Sequence, residues 1–253
     1  MAGLFSHMEG EPGRPPVVLL HGFGGHHGVW TSVRRALGPA VPTIAYDLPG
    51  HGNSLGMRES AAPRRAAGVI LDDLSRRNVT SFHLVGHSMG GAIATLMALA
   101  EPSRVASLTL LASGGFGETI NEAALRALAA AASADELAEA LEPMCAQGHV
   151  HDMADLAAMA AMRALPGQSE VLKELVGRIA KDGRQGMIPR DLIAGLPMPV
   201  TVVWGEEDRV LDRRHADGLP SAIVVRRIAR RGHMLPEECP DEVATLIRRA
   251  TAS

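Results

Sequence analysis

The stretch Ser81-Phe82-His83-Leu84-Val85-Gly86-His87-Ser88-Met89-Gly90, continued by Gly91-Ala92-Ile93-Ala94-Thr95-Leu96-Met97-Ala98-Leu99-Ala100, sets the frame for the whole chain. Ser81 to Val85 predicts a short buried strand. Gly91 to Ala100 predicts a helix with small residues where it must lie close to a sheet. The turn between them is too tight for side chains two residues either side of Ser88. Glycine stands at both places, which leaves the serine hydroxyl proud of the sheet edge.

The pattern G-x-S-x-G is weak by itself. A chain of 253 residues with 27 glycines produces ~0.1–0.2 chance matches. A second match is in fact present, Gly52-Asn53-Ser54-Leu55-Gly56. It follows Leu48-Pro49-Gly50-His51, which no strand interior accommodates, and it leads into a stretch interrupted by Pro63. Context therefore makes Ser88 the candidate nucleophile and Ser54 a loop serine.

Outward from Ser88, strand-like and helix-like segments alternate. Val17 to Leu20, Thr43 to Tyr46, Val105 to Leu111, Val200 to Trp204 and Ala222 to Arg227 predict strands. Trp30 to Leu37, Ala66 to Arg77 and about Asp241 to Ala250 predict helices. Short, continuously apolar strands alternating with helices imply a mostly parallel sheet flanked by helices on both faces. Between Ser113 and about Leu196 the alternation stops. Asn121 to Ala132, Ala134 to Leu141, Met153 to Leu165 and Ser169 to Lys181 all predict helices, with Gly114-Gly115 and Gly195-Leu196-Pro197 as punctuation. The expected organisation is an α/β core from residues 1–112 and 197–253 with a helical cap inserted at 113–196. An ordinary packing layer of helices is the alternative. The position after the strand beside Ser88 favours a cap, because sites of open parallel sheets lie at the carboxyl ends of strands.

Composition excludes other classes. A net charge of −3 and the absence of a long basic run argue against nucleic acid. No apolar run approaches the ~20 residues a bilayer span needs. Met1 to His7 lacks the charged leader and apolar stretch of a signal peptide. Cys145 and Cys239 fit no metal or redox spacing. A cytoplasmic protein with free thiols is the expectation, and nothing in the sequence bears on oligomeric state.

A serine hydroxyl needs a base to take its proton, and the base needs a carboxylate to fix its tautomer. Both partners belong on loops after later strands, in the order Ser, acid, His. His233, in Arg231-Gly232-His233-Met234-Leu235, and Asp208, directly after the strand ending at Trp204, occupy such places. Glu206 and Glu207 are alternatives for the acid. His215, within Asp212-Arg213-Arg214-His215-Ala216, reads as part of a solvated helix. His149 and His151 read as surface residues, with a metal pair as the other possibility. The oxyanion of the reaction needs two fixed N–H donors. Met89 offers one at the helix N-terminus. Phe23 offers the other, in the loop His21-Gly22-Phe23-Gly24-Gly25 that follows an early strand.

These residues together resemble an α/β-hydrolase of the esterase and lyase-like branch, nearly end to end. The resemblance rests on the loop at His21–Gly25, on Asp47-Leu48-Pro49-Gly50-His51-Gly52-Asn53-Ser54, on the Ser88 turn, on the Asp208 turn and on Gly232-His233. It implies that the first shapes the oxyanion loop and that the second is mainly structural. Residues 104–113 and 202–209 are similar to the hydrolase-like domain of acetoin dehydrogenase acyltransferase subunits. Two departures stand out. Fewer than twenty residues precede Val17, which leaves no lipoyl-bearing domain there and suggests that the outermost of the usual eight strands is missing. His215-Ala216-Asp217-Gly218 also has the wrong spacing for the His-x-x-x-Asp-Gly motif of dihydrolipoyl acyltransferases.

The expectation is a serine hydrolase for a small ester or similar carbonyl compound, with no metal or organic cofactor. Acyl transfer or carbon–carbon cleavage on the same residues is the alternative, and a ligand receptor with little turnover is a third. Residues expected to meet a small-molecule substrate are His21, Gly22, Gly24, His87, Phe116, Met159 and Met162. The helical segment is rich in Ala, Leu and Met (Met144, Met153, Met159, Met162, Met187). Such a lining favours short or flexible acyl groups, unless those methionines form only the segment's own core.

Overall fold

The computed structural model describes residues 3–11 and 13–252. Met1 and Ala2, the start of the segment read for a leader, lie outside the described residues. Seven strands form one sheet: β1 (Ser6–Glu9), β2 (Val17–Leu20), β3 (Thr43–Tyr46), β4 (Phe82–His87), β5 (Val105–Leu111), β6 (Val200–Gly205) and β7 (Ile223–Ile228), in the spatial order β1-β3-β2-β4-β5-β6-β7. Every pairing is parallel except β1 on β3. Each residue of β2, β3 and β4 is buried. Apolar runs with both faces covered are what a parallel sheet under helices demands.

The helices of the core are α1 (Thr31–Leu37), α2 (Pro63–Arg76), α3 (Met89–Ala100) and, at the end of the chain, α10 (Pro240–Thr251). They cover the sheet as two pairs, α1 with α10 and α2 with α3. Pro63 opens α2 three residues before the predicted start at Ala66, at the first turn, where a missing N–H costs nothing. Along α2, Ala66, Ala67, Ile70, Leu71 and Leu74 form the buried stripe. α3 is apolar almost all round and is buried accordingly.

Between β5 and β6 come α4 (Glu122–Ala130), α5 (Ala134–Leu141), α6 (Met153–Arg163), α7 (Gln168–Ile179) and α8 (Arg190–Ala194); α9 (Leu235–Glu238) follows β7. No strand interrupts them among the described residues; Thr119, Lys181 and Arg184 make only isolated bridges. A reciprocal cap fixes the start of α5, with Ser133 accepting from the Glu136 N–H and Glu136 from the Ser133 N–H. Among the described residues no helix is long and apolar enough to cross a membrane.

Strand register positions the site. Leu20 pairs with Gly86, Gly86 with Leu110, Leu110 with Val202 and Val202 with Val225. The carboxyl ends of β2, β4, β5, β6 and β7 therefore reach one edge, and the loops holding Phe23, Ser88, Asp208 and His233 leave from it. β2 runs first to β3 on one side, and the chain then returns to β4 on the other. That reversal opens a crevice between β2 and β4 at the same edge.

Candidate active site

Ser88 has φ +52° and ψ −118°, a left-handed conformation that costs a non-glycine residue about 1–3 kcal/mol. Its neighbours hold it there. The Ser88 N–H donates to the Leu111 carbonyl at 2.9 Å, and the Ser88 carbonyl accepts from Gly91 and Gly114 at 2.9 and 3.0 Å. A Cβ at Gly86 would collide with the Gly90 carbonyl, and one at Gly90 with the carbonyls of Leu20 and His21. These two clearances let α3 begin directly against β2 and β4.

His233 Nδ1 lies 2.9 Å from Asp208 Oδ2, and the two side chains are 3% and 0% exposed. A carboxylate only accepts, so Nδ1 carries a proton and donates it to Asp208. Asp208 is itself fixed by the Val210 and Leu211 N–H groups, which donate to Oδ1 at 2.8 and 2.9 Å. Of the three acidic residues on this turn, Asp208 is the one placed on the imidazole. Glu206 is exposed, and Glu207 Oε2 accepts from the Gln147 N–H at 3.2 Å.

Two supports of His233 carry no signal in the sequence. Buried Glu238 accepts from the N–H groups of Gly232 (2.8 Å), Met234 (3.0 Å) and Ala146 (2.9 Å), gripping the loop on both sides of His233. Buried His87 donates from Nε2 to the His233 carbonyl at 2.8 Å. Burial, with the neighbouring His233 adding to it, lowers the His87 pKa to about 3, so its ring is neutral. The His233 N–H donates to the Met144 carbonyl at 2.7 Å, which ties the loop to the helical segment.

The loop after β2 is held by three side chains. His21 accepts from the Leu48 N–H on Nε2 (2.9 Å) and donates from Nδ1 to the Gly22 carbonyl (2.7 Å). His51 Nε2 accepts from the Gly24 N–H at 3.2 Å, and buried Arg163 donates from Nη2 to the Gly24 carbonyl at 2.8 Å. Gly24 has φ +73°, which leaves room for that guanidinium. The Gly25 N–H is spent on the Gly22 carbonyl. Among the described residues no acceptor takes the Phe23 N–H, and the N–H of Met89, first residue of α3, lies ahead of the helical ladder.

Below the second motif, buried Asp47 accepts from the His27 N–H (2.7 Å), the His27 ring (2.7 Å) and both the N–H and side-chain amide of Asn53. Burial pushes its pKa up, but the bonds from His27 win and hold the carboxyl well below its usual range. Gln168 bridges the same loop, accepting from the Gly52 N–H and donating to the Gly50 carbonyl. Ser54 is fully buried in a 3-10 turn, and its Oγ accepts from the Phe5 N–H at 2.9 Å.

Two cavities meet at Phe23, Ser88 and Leu125. The smaller, about 20 Å³, is lined by Gly22, His87, Met144, Met159, His233 and Glu237. The larger, about 650 Å³, is lined by Met89, Leu96, Ile120, Met187, Ile188 and Leu192 among others. Of the residues expected to meet substrate, Gly22, His87 and Met159 line the smaller cavity. His21 and Gly24 lie behind the loop and line neither. Phe116 is buried against Trp204, with ring centroids 6.3 Å apart, and Met162 Sδ packs toward Gly52. Met153 is 64% exposed.

Three histidines differ from their sequence reading. His215 is buried rather than solvated, with Nε2 2.9 Å from Thr119 Oγ1 and its ring edge-on to Trp204. His149 and His151 are half-buried and stack edge to face, centroids 4.9 Å apart.

Residues 17–246 match the alpha/beta hydrolase family. The chain is 35% identical over 234 residues to the dihydrolipoyllysine-residue acetyltransferase component of the acetoin cleaving system of Pseudomonas putida, covering 92% of this chain and 62% of that one. It thus spans about three fifths of that relative. It is 28% identical over 264 residues to the human monoacylglycerol lipase ABHD6, covering 94% and 76%. Its fold is similar to that of a meta-cleavage product hydrolase from Pseudomonas fluorescens IP01 complexed with acetates, with a TM-score of 0.84, 21% identity and coverage of 98% and 93%.

Proposed function

The chain belongs to the alpha/beta hydrolase family, and on that premise we propose that it is a serine hydrolase for small carboxylic esters with a flexible, apolar acyl chain. The observation that carries this is the larger cavity, whose walls, apolar apart from Arg64, Arg178 and Gln185 among the long side chains, end on Ser88, Phe23 and Met89. The acyl chain lies there, and the alcohol portion faces the smaller cavity beside His233. Residues 113–196 act as the cap that sets chain length, through Leu125, Met187, Ile188 and Leu192.

In the first half-reaction Ser88 Oγ bonds to the ester carbonyl carbon as His233 Nε2 takes its proton. The carbonyl oxygen becomes an oxyanion that the Phe23 and Met89 N–H groups receive. Asp208 stabilises the imidazolium and fixes its orientation. Collapse breaks the bond to the alcohol oxygen, which leaves with the proton from His233. In the second, His233 takes a proton from water, the hydroxide bonds to the acyl carbon, and collapse returns Ser88 with its proton and releases the acid.

The test is a p-nitrophenyl ester series from acetate to laurate on the purified full chain. The reading requires kcat/KM to rise with chain length to an optimum, and Ile188→Trp to move that optimum to shorter chains with the acetate rate kept within a few-fold. A rate indifferent to chain length in both proteins refutes the acyl assignment of the larger cavity. The 35% identity to an acetyltransferase component favours one second reading, acyl transfer to an alcohol or thiol. Added acceptors would then divert the acyl group from the free acid to a new ester or thioester.

A further inference from the structure

We propose that Cys145, His149 and His151 form a site for a thiophilic divalent cation, zinc above all, where the helical segment meets the loop that carries His233. One side-chain ligand atom from each of the three lies within 4.8 Å of the other two. A tetrahedral zinc ion, with bonds of ~2.3 Å to sulfur and ~2.0–2.1 Å to nitrogen, needs such atoms about 3.5 Å apart. Small side-chain rotations close that difference.

The local chain builds the cluster. Gly148, at φ +80°, turns the backbone so that the His149 N–H donates to the Ala146 carbonyl at 3.1 Å, which brings His149 back beside Cys145. Val150 stands in solvent at 86% exposure, while the imidazoles on either side of it are half-buried and packed edge to face. The Cys145 thiol is buried. Among the described residues no hydrogen bond engages that thiol or either imidazole. Two imidazoles and a thiol are ligands of choice for zinc and poor ones for magnesium or calcium.

A second cluster, His26, His27 and Asp47, shows what a committed group looks like. His27 Nδ1 and the Asp47 carboxylate bind each other at 2.7 Å, and His26 Nδ1 accepts from the Gly28 N–H. Its ligand atoms are occupied by the fold; those of Cys145 and His149 make no hydrogen bond among the described residues, and His151 faces only the Glu237 carboxylate. The surroundings are also anionic. Glu237 Oε2 lies 3.8 Å from His151 Nδ1, close enough to supply a fourth ligand, and Glu142 and Glu238 add to the negative field around the thiol. On binding, the thiol proton passes to solvent and the thiolate bonds to the cation.

The site is clipped to the candidate active-site loop. A Cβ at Gly232 would collide with Cys145 and Ala146, and the Met144 carbonyl accepts from the His233 N–H. A bound cation would therefore tie residues 145–151 to the loop and to α9, adding to stability without taking part in turnover.

The experiment titrates the metal-free full chain with Co²⁺, then Zn²⁺, and needs no substrate. Expected are the intense visible bands of tetrahedral cobalt and a near-ultraviolet thiolate-to-cobalt charge-transfer band, both lost on adding Zn²⁺. Saturating Zn²⁺ should raise Tm by ~5 °C or more. Cys145→Ser should remove the charge-transfer band, and His149→Ala and His151→Ala the tetrahedral bands. Cys239→Ser should keep both. Should Cys145→Ser fail to fold, the two histidine variants carry the same test. A charge-transfer band that survives Cys145→Ser, or only the pale spectrum of octahedral cobalt in wild type and variants alike, overturns the proposal.

Discussion

Ser88 and Ser54 stand in the same five-residue pattern and meet opposite fates. At Ser88 the glycines two residues before and after provide clearance against β2, β4 and α3, and the backbone is forced to φ +52°. At Ser54 the pattern lies in a 3-10 turn, and φ is not positive at the serine. Its hydroxyl is fully buried and receives the Phe5 N–H, so it pins the segment just before β1 to the loop after β3. The difference lies in what the glycines clear: at Ser88 the junction of strand and helix, at Ser54 the Asp47 carboxylate beside Gly52, which has φ +49°. Pattern supplies the residues, and the elements on either side decide whether a serine is presented to a cavity or locked into the fold.

The largest effect expected divides the two serines directly. Ser88→Ala should lower kcat by 10⁴-fold or more and abolish labelling by a fluorophosphonate probe. Ser54→Ala should label normally and turn over within a few-fold of wild type. Losing the acceptor for the part-buried Phe5 N–H should cost it about 1 kcal/mol, a fall of a few degrees in Tm. Labelling that persists in Ser88→Ala would sink the assignment.

Next in size is the carboxylate. Asp208→Asn should fold, bind an ester analogue and lose about 10⁴-fold in kcat, because an amide donor facing His233 Nδ1 enforces the wrong tautomer. Glu206→Gln and Glu207→Gln should stay within a few-fold, as partly solvated charges do. Turnover of one p-nitrophenyl ester by the three purified variants decides it. A crippled Glu207→Gln beside an active Asp208→Asn would move the acid by one residue.

How much of this was legible follows from what each element asks of its sequence. The buried parallel strands are apolar runs, and β5 coincides with the predicted Val105 to Leu111. β1 was not legible. Ser6-His7-Met8-Glu9 has one half-buried residue followed by three exposed ones, and its strand form comes from pairing with β3 at the sheet edge. An ion pair between Glu9 and Arg34 joins it to α1. The short helices α8 and α9 escaped as well, being too brief for a period to show. Within the site, residues whose chemistry is local could be found: a serine at a turn, an acid after a strand, a histidine after the last strand. Glu238 and Arg163 act across 92 and 139 residues of sequence, on Ala146 and Gly24. No spacing rule encodes a contact that only the folded chain creates.

Arg163 gives a smaller effect and a sharper question about the loop after β2. Its guanidinium is buried, which lowers its pKa to about 10 and leaves it charged at neutral pH, and it holds the Gly24 carbonyl. The reading makes it a positioning residue for the Phe23 N–H. Arg163→Met keeps much of the volume and removes the donor. The expected outcome is a fall in kcat of about tenfold with KM nearly unchanged, since a misaimed oxyanion donor weakens the transition state and not substrate binding. Tm should change little, because replacing a buried charge by an apolar chain is often neutral or better. A lower Tm with kcat intact would reduce Arg163 to packing.

The smallest expected effect separates the two motifs by pH. Each has a buried imidazole ahead of its serine, His87 next to Ser88 and His51 three residues before Ser54. Burial holds His87 at about 3 and His51 at about 4. It also lowers His26 to about 4 and His21 well below its ordinary value. In the unfolded chain each would take a proton near pH 6.5. Between about pH 6.5 and 4 the unfolded state therefore binds more protons than the native state. The contribution of these groups is complete above 6.5 and is withdrawn as pH falls through that window. Tm measured against pH should fall from about 6.5 downward. Burial also lowers His7, His83, His149 and His215. His51→Gln retains an acceptor for the Gly24 N–H but cannot titrate, so it should flatten the slope by the share of one group among these eight. It should leave kcat and its pH dependence in place. His87→Gln should flatten the slope similarly and also lower kcat, because His87 donates to the His233 carbonyl. If His51→Gln instead kept the full slope, the loop imidazole would already be protonated in the fold. The two motifs would then differ in charge as well as in backbone.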